Sequence, residues 1–256
     1  MSRHQALDTF GRSGNPVMSD STFSELKTTS GNTMTLEGTV NKTGILLFLL
    51  ILAAIYPWNL FFQSGNPASV IPLTLIGGIG GFIMAIVTTF KKSWAPITAP
   101  IYAVLEGLLL GGISAIFEAQ YPGIVIQATG LTFGTLASLL MLYKLGIIKP
   151  TENFRLMVVS ATMGIGILYF ISFLMNMFGS NGIGFIHSNG IFGIGFSLFV
   201  VAIAALNLVL DFDFIEQGSE QNAPKYMEWF GAFSLMVTLI WLYLEILRLL
   251  AKLRSR

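Results

Sequence analysis

Polar and apolar positions divide the chain into two parts. Residues 1–43 are rich in Ser, Thr, Asn and Gly and have no sustained apolar period. This pattern predicts a polar and largely disordered N-terminal tail, whose last stretch, from Met34, lies at the membrane surface. From residue 44 to the C-terminus, long apolar runs follow one another with short polar connections. The chain is therefore predicted to consist of a tail, 1–43, and an apolar domain, 44–256.

Seven of the apolar runs approach the roughly 20 residues that a helix needs to cross a bilayer. Lipid offers backbone groups no hydrogen-bond partner, so runs this apolar must be helices, and the alternating segments of a β-barrel are not seen. The predicted spans are Gly44–Phe62, Val70–Thr89, Pro96–Ala119, Ile124–Tyr143, Arg155–Phe178, Ile191–Leu210 and Trp229–Leu250. The predicted fold class is an all-α integral membrane protein, a bundle of seven transmembrane helices surrounded by the lipid bilayer.

Composition supports this class and excludes others. Hydrophobic residues make up 54% of the chain and charged residues only 11%, where about 25% charged is usual in soluble proteins. A net charge of +1 gives no electrostatic footprint for nucleic acid. With no cysteine, two histidines and no Ser–His–Asp or HExxH constellation, we expect neither an enzyme nor a resident cofactor.

Lysine and arginine positions predict the orientation. The connections after the second, fourth and sixth spans carry Lys or Arg, whereas those after the first, third and fifth carry none. By the positive-inside rule the N-terminus is cytoplasmic. The basic tail, Lys252, Arg254 and Arg256, disagrees, because seven crossings place it outside. Either this tail is an exception or the seventh segment re-enters the membrane, and the length of Trp229–Leu250 favours a crossing.

Three acidic residues inside or directly after predicted spans, Glu106, Asp211 and Glu245, are expected to face the bundle interior. An ionisable group there is costly and is a functional hypothesis by default. Glu106 is near the middle of the third span, with Tyr102 one turn earlier on the same helix face. Asp211 closes the sixth span, with Asn207 one turn before it. Asp213 points about 200° away from Asp211 and is expected to face the interface or a loop.

The third acid, Glu245, belongs to a polar stripe on the seventh span. Ser234, Thr238, Trp241, Glu245 and Arg248 follow a spacing of four and three residues, which places them on one helix face. We expect this stripe to face protein or water, because contact between its polar groups and the hydrocarbon of the bilayer is energetically unfavourable. The structural alternative is a local ion pair between Glu245 and Arg248 near the interface, with Arg248 extending its charged end to water.

Carboxylates in the interior of a bundle suggest a proton-gated cation path. Burial and mutual repulsion both disfavour the charged form of a carboxyl group, so such groups titrate nearer to neutral pH. Carboxylate oxygens are also ligands for hard cations such as Ca²⁺, which we expect at Asp211 if a metal binds at all. Neutral acids at low pH would let the helices close, and charged acids would repel one another or take up a cation.

Small residues four positions apart predict close helix packing. The pairs Gly77 and Gly81, Gly107 and Gly111, and Gly130 and Gly134 each form such a face.

Several motifs, in order, resemble the Bax inhibitor-1/YccA-like family, and its bacterial branch in particular. They are MTLEGTVNKTG (34–44), YAVLEGLLLGGIS (102–114), YPGIVIQA (121–128), LDFDFIE (210–216) and WLYLEILRLLAKL (241–253). The resemblance implies a fold in which the last helix is central and six others surround it. It also implies a pH-sensitive calcium leak channel in the bacterial cytoplasmic (inner) membrane.

The resemblance also indicates residue roles. Studied relatives sense pH with two aspartates, one at the end of the sixth span and one within the seventh. Asp211 matches the first, whereas Thr238 occupies the second position. Glu106, in the EG motif, is then the best remaining partner for Asp211. Glu245 is an auxiliary acid, and Asp213, Asn207, Thr238, Arg248 and Tyr102 are supporting residues.

A second hypothesis is a non-conducting adaptor. One bacterial relative modulates a membrane-bound protease, so this chain would bind such a protease, or another integral protein, through its glycine faces and its N-terminal tail.

Overall fold

The computed structural model describes residues 33–179 and 182–255, apart from the side chains of Phe185 and His187. The tail predicted over residues 1–32 lies outside these ranges. The described residues form seven long helices: α1 Leu36–Ser64, α2 Ile71–Phe90, α3 Ala95–Gln120, α4 Ile124–Lys144, α5 Glu152–Met177, α6 Ile191–Glu220 and α7 Met227–Arg254. All seven are long and apolar enough to cross a membrane. The described residues form no strand, only an isolated bridge between Thr33 and Pro224, so the predicted fold class is confirmed.

Helix α1 begins eight residues before the predicted Gly44, at Leu36. Thr35 has extended backbone and its side chain accepts a hydrogen bond from the Gly38 N–H, which satisfies one of the free donors at the helix start. The last part of the predicted tail is therefore helical. The helix ends at Ser64, and the next residue, Gly65, has a φ of 63° that is favourable for glycine and an N–H that donates to the Phe61 carbonyl.

Helix α6 continues to Glu220, beyond the predicted end at Leu210. Asp211 and Asp213 are therefore inside a continuous helix instead of at its end. Because the helix continues, the connection to α7 is short and runs from Gln221 to Tyr226.

The chain forms two compact units, which share α6 and α7 between them. The N-terminal unit contains the described residues up to Val125 together with 215–237, and the C-terminal unit contains 126–214 and 238–255. In the N-terminal unit, α1 and α2 both pack against α3. In the C-terminal unit, α5 packs against α6 through Val158, Val159 and Leu210.

The glycine pairs behave in two ways. Cβ atoms at Gly107 and Gly111 would lie 2.4 Å and 2.3 Å from carbonyl oxygens of α1, those of Leu50 and Ala54. A Cβ at Gly77 would lie 2.5 Å from the Leu105 carbonyl oxygen of α3. These glycines thus permit close helix contact, as predicted. Gly130 and Gly134 differ, since a Cβ at either meets no described atom within 4 Å. No described helix therefore packs closely against these two glycines.

The last helix is the most buried of the seven. In α7, 83% of the most apolar stretch is buried, against 50% or less in each of the other helices. This is the burial expected of the central helix in the predicted fold. Because α7 is unbroken over 28 residues, it is about 42 Å long, which is enough for a complete crossing.

Candidate functional site

The three predicted acids are all buried within long helices. Asp211 is 0% exposed, Glu245 2% and Glu106 8%. Asp211 and Glu245 belong to the C-terminal unit and Glu106 to the N-terminal unit. The pairing of Asp211 with Glu106 therefore stays a prediction, and each acid is described in its own unit.

Glu106 lies against α2. Its side chain is hydrogen-bonded to the Tyr102 hydroxyl one turn earlier, as their shared face predicts. A Cβ at Gly81 would come within 2.7 Å of Glu106 Oε1, so the carboxyl group occupies the space that this glycine leaves. Tyr102 is itself held by an edge-to-face contact with Phe233, with ring centroids 4.9 Å apart. Glu106 is thus a fixed acid in a packed interior.

Asp211 lies one turn after a hydrogen-bonded asparagine. Asn207 Nδ2 donates to Thr162 Oγ1 of α5 at 2.8 Å and to the Ile203 carbonyl at 2.9 Å. The Asn207 Oδ1 atom is buried and accepts no hydrogen bond from any described group. Thr162 was not singled out in the sequence, because a threonine on a long apolar helix gives no signal of its partner. The face of α6 that holds Asp211 thus carries an amide oxygen with unused acceptor capacity.

Asp213, which was expected to face the interface or a loop, contacts the first turns of α5. Its Oδ2 atom pairs with Arg155 Nη2 at 2.6 Å, near the start of α5. Arg155, the first residue of the predicted fifth span, thus has a structural partner. This ion pair makes Asp213 a link between α5 and α6.

Glu245 forms a three-residue cluster with Tyr169 and Arg248. Arg248 Nη1 donates to Glu245 Oε1 at 2.8 Å and to the Tyr169 hydroxyl at 2.9 Å, and that hydroxyl lies 3.0 Å from Glu245 Oε1. The local ion pair considered from the sequence is therefore present. Tyr169 of α5 was missed, because its 76-residue separation from Glu245 gives no local signal. Glu245 Oε2 is buried and has no hydrogen-bond partner among the described groups.

The polar stripe on α7 is buried at most of its positions. Ser234, Thr238 and Glu245 are 0%, 2% and 2% exposed. Trp241 packs at the edge of a cluster formed by Ile165, Val200 and Ile203. The stripe therefore faces protein at these positions, as expected, and Arg248 extends outward, with 40% of its side chain exposed.

A further buried acid, Glu228 in the first turn of α7, was not among the predicted site residues. Its Oε1 atom accepts from the Thr35 N–H at 2.9 Å, from the Thr35 hydroxyl at 2.7 Å and from Lys225 at 2.7 Å, and its Oε2 atom pairs with Lys42. A Cβ at Gly38 would collide with this carboxylate. These residues, the Glu228 clasp, join the starts of α1 and α7 within the N-terminal unit. The sequence gives no signal for contacts between residues so far apart along the chain.

No three His, Asp or Glu side chains within the described ranges are grouped so as to hold a metal ion. A single buried carboxylate on a helix can bind a proton or a hard cation.

Comparison with known proteins gives one match. The model of the family described as "Bax inhibitor 1 like" matches residues 15–255, nearly the whole chain. No curated protein and no solved structure matches the chain. The resemblance seen in the motifs is thus confirmed at the level of the family.

Proposed function

Because the chain belongs to the Bax inhibitor 1 like family, we propose that it is a pH-sensitive leak channel for cations, calcium among them, in the bacterial cytoplasmic membrane. The observation that carries this proposal is the burial of Asp211, at 0% exposure, in a helix long and apolar enough to span a bilayer. An ionisable group at such a position is costly, and membrane proteins retain such groups mainly for ion or proton pathways.

The acids have different parts in the proposal. Asp211 and Glu106 are the principal acids, and their protonation closes the path by removing charge from the interior. Glu245 is auxiliary, because Arg248 compensates its charge. Calcium is the permeant ion, not a cofactor.

Asp211→Asn tests this assignment. Asparagine imitates the protonated acid, so the variant should conduct at about pH 8 as little as wild type does at about pH 5. A roughly tenfold fall in calcium flux at the higher pH corresponds to a free-energy change of about 1.4 kcal/mol. A change of this size is modest for the removal of a charge from a poorly polarisable interior. Purified protein in liposomes with an enclosed calcium dye measures the flux.

Glu220→Gln is the matched control, since Glu220 is exposed at the end of α6 and should leave the pH profile unchanged. Glu245→Gln should alter the profile less than Asp211→Asn. If Asp211→Asn liposomes show the pH profile of wild type, Asp211 is not the gating acid.

The alternative function is a non-conducting adaptor for a membrane protease or another integral protein. It is supported by Gly130 and Gly134, a small-residue pair on α4, because a Cβ placed on either glycine would meet no described atom within 4 Å. A partner helix could approach this face closely. On this hypothesis, crosslinking captures a partner, removal of residues 1–33 abolishes the capture, and liposomes of the wild-type protein pass no calcium at any pH.

A further inference from the structure

The polar stripe of α7 continues beyond Arg248 to a buried lysine. Lys252 lies one helical turn after Arg248 and is only 5% exposed. A charged lysine is almost never this buried unless its ammonium has polar partners. From the sequence alone, Lys252 was only one of three basic residues that disagreed with the predicted orientation.

The ammonium is held by three neutral oxygens of the C-terminal unit. Lys252 Nζ donates to the Ile186 carbonyl at 2.6 Å, to the Gly193 carbonyl at 3.1 Å and to Ser197 Oγ at 2.8 Å. These acceptors match the three donors of an ammonium group. Within the described ranges no carboxylate lies within 4.0 Å of Nζ, so the direct partners of the ammonium are neutral dipoles.

The chemistry of this oxygen set selects a class of cation. Ca²⁺ prefers six to eight oxygens, carboxylates among them, at about 2.3–2.6 Å. Two carbonyls and a hydroxyl at longer distances suit a monovalent ion with the size of ammonium or potassium, which protein carbonyls also coordinate in channels. The chain itself presents the carbonyls, since Ile186 lies in the one-turn helix Gly184–His187 and Gly193 in the first turn of α6.

We propose that the Ile186 and Gly193 carbonyls and Ser197 Oγ form a binding site for a monovalent cation of the size of ammonium or potassium. Lys252 fills this site as a cation tethered to the chain. Its charge stands at the end of the α7 stripe, beyond Arg248, and therefore opposes the entry of mobile cations toward Glu245. This last consequence rests on the proposed leak function, whereas the binding site itself does not.

Lys252→Ala tests the site through protein stability. The variant removes the tethered cation and leaves three buried acceptors, so its thermal unfolding midpoint in choline chloride should fall by roughly 4–8 °C. Potassium or ammonium chloride at the same ionic strength should restore about half of this loss or more, because these ions fit the empty oxygens and choline does not.

Two variants control this measurement. Arg254→Ala removes the same charge from an exposed position, where the guanidinium donates to Gln127 Oε1. Its midpoint should not depend on which cation is present. Adding Ser197→Ala to Lys252→Ala removes one of the three acceptors. Potassium or ammonium should then restore less of the unfolding midpoint. Equal midpoints for Lys252→Ala in all three salts would overturn the site. A variant that fails to fold even in potassium and ammonium chloride would also overturn it.

Flux through liposomes tests the consequence. Lys252→Ala should release potassium roughly tenfold faster than wild type, because a positive charge no longer stands at the end of the stripe, while Arg254→Ala should match wild type. Equal rates for Lys252→Ala and wild type contradict the role of Lys252 in opposing entry. Wild-type liposomes that pass no cation at any pH contradict the proposed leak function instead, and the stability measurement then still decides whether the cation site exists.

Discussion

At the residue scale, the burial of a charge depends on the partners that tertiary structure supplies. Glu228 is completely buried, yet two lysines and Thr35 satisfy its oxygens. Glu245 has one compensating arginine and one oxygen without a hydrogen-bond partner among the described groups. The two carboxylates are similar in sequence context, each near the start or end of an apolar run, but only Glu228 is fully neutralised by its neighbours. Glu245 therefore retains acceptor capacity that a proton or cation could use.

The cluster of Tyr169, Glu245 and Arg248 leads to a stability prediction. Arg248→Met should lower the free energy of unfolding by about 1–3 kcal/mol, because it leaves a buried carboxylate uncompensated. The loss is smaller than for a fully buried pair, since 40% of the Arg248 side chain is exposed. Glu245→Gln should lower the free energy of unfolding by less, because water can reach the Arg248 guanidinium that remains. Thermal unfolding in detergent micelles measures both.

Arg254→Met is the control for this comparison, since it removes the same charge from an exposed side chain and should change the midpoint little. If Glu245→Gln proves more destabilising than Arg248→Met, then the carboxylate, and not its compensation, is what the fold requires.

At the scale of elements, helix contacts in the N-terminal unit depend on glycine. Gly107→Ala should destabilise the protein by about 1–3 kcal/mol through overpacking, although alanine is the better helix former by about 1 kcal/mol. The reason is that its Cβ would lie 2.4 Å from the Leu50 carbonyl oxygen, a backbone atom that cannot rotate away. Unfolding midpoints compare this variant with Gly130→Ala, whose Cβ meets no described atom within 4 Å. Equal midpoints for the two would show that α1 and α3 are free to separate.

The Glu228 clasp joins the first turns of α1 and α7. Glu228→Gln should lower the free energy of unfolding by about 1–3 kcal/mol, because hydrogen bonds to a charged acceptor are lost and two lysines are left without their carboxylate. The control is Glu220→Gln, an exposed carboxylate near the end of α6, which should be close to neutral. A clasp variant as stable as this control would mean that the ion pairs contribute nothing beyond the packing of the helix starts.

At the scale of the whole molecule, the orientation can be tested because the chain has no cysteine. Ser93, after α2, and Ser255, after α7, are both exposed and can be replaced by cysteine one at a time. With a cytoplasmic N-terminus and seven crossings, a membrane-impermeant maleimide added to intact cells should label Ser255→Cys and not Ser93→Cys. Inside-out vesicles should give the opposite result. Labelling of both from the same side would mean that α7 does not cross.

The apolar pattern by itself determined the seven helices. Each predicted span overlaps one observed helix, because membrane crossing requires about twenty apolar residues and leaves no other backbone structure available. The pattern could not determine helix ends that continue into polar sequence. Helix α1 begins at Leu36 because Thr35 caps it. Helix α6 continues past Leu210 through polar residues, and a search for apolar runs cannot detect that these residues are helical. The family, too, was readable from the motifs.

The candidate acids were also predictable, because a carboxylate in an apolar span is conspicuous in any sequence. Their partners were not. Tyr169 meets Glu245 and Thr35 meets Glu228 across 76 and 193 residues of chain, and Lys252 finds its three oxygens across at least 55. Local periodicity reports which face of a helix is polar, but not which side chain stands opposite to it. The sequence alone therefore determined that the chain crosses the membrane and which acids lie in or directly after its apolar spans. Only tertiary structure decided which charges are neutralised, because that depends on contacts between residues far apart in the chain.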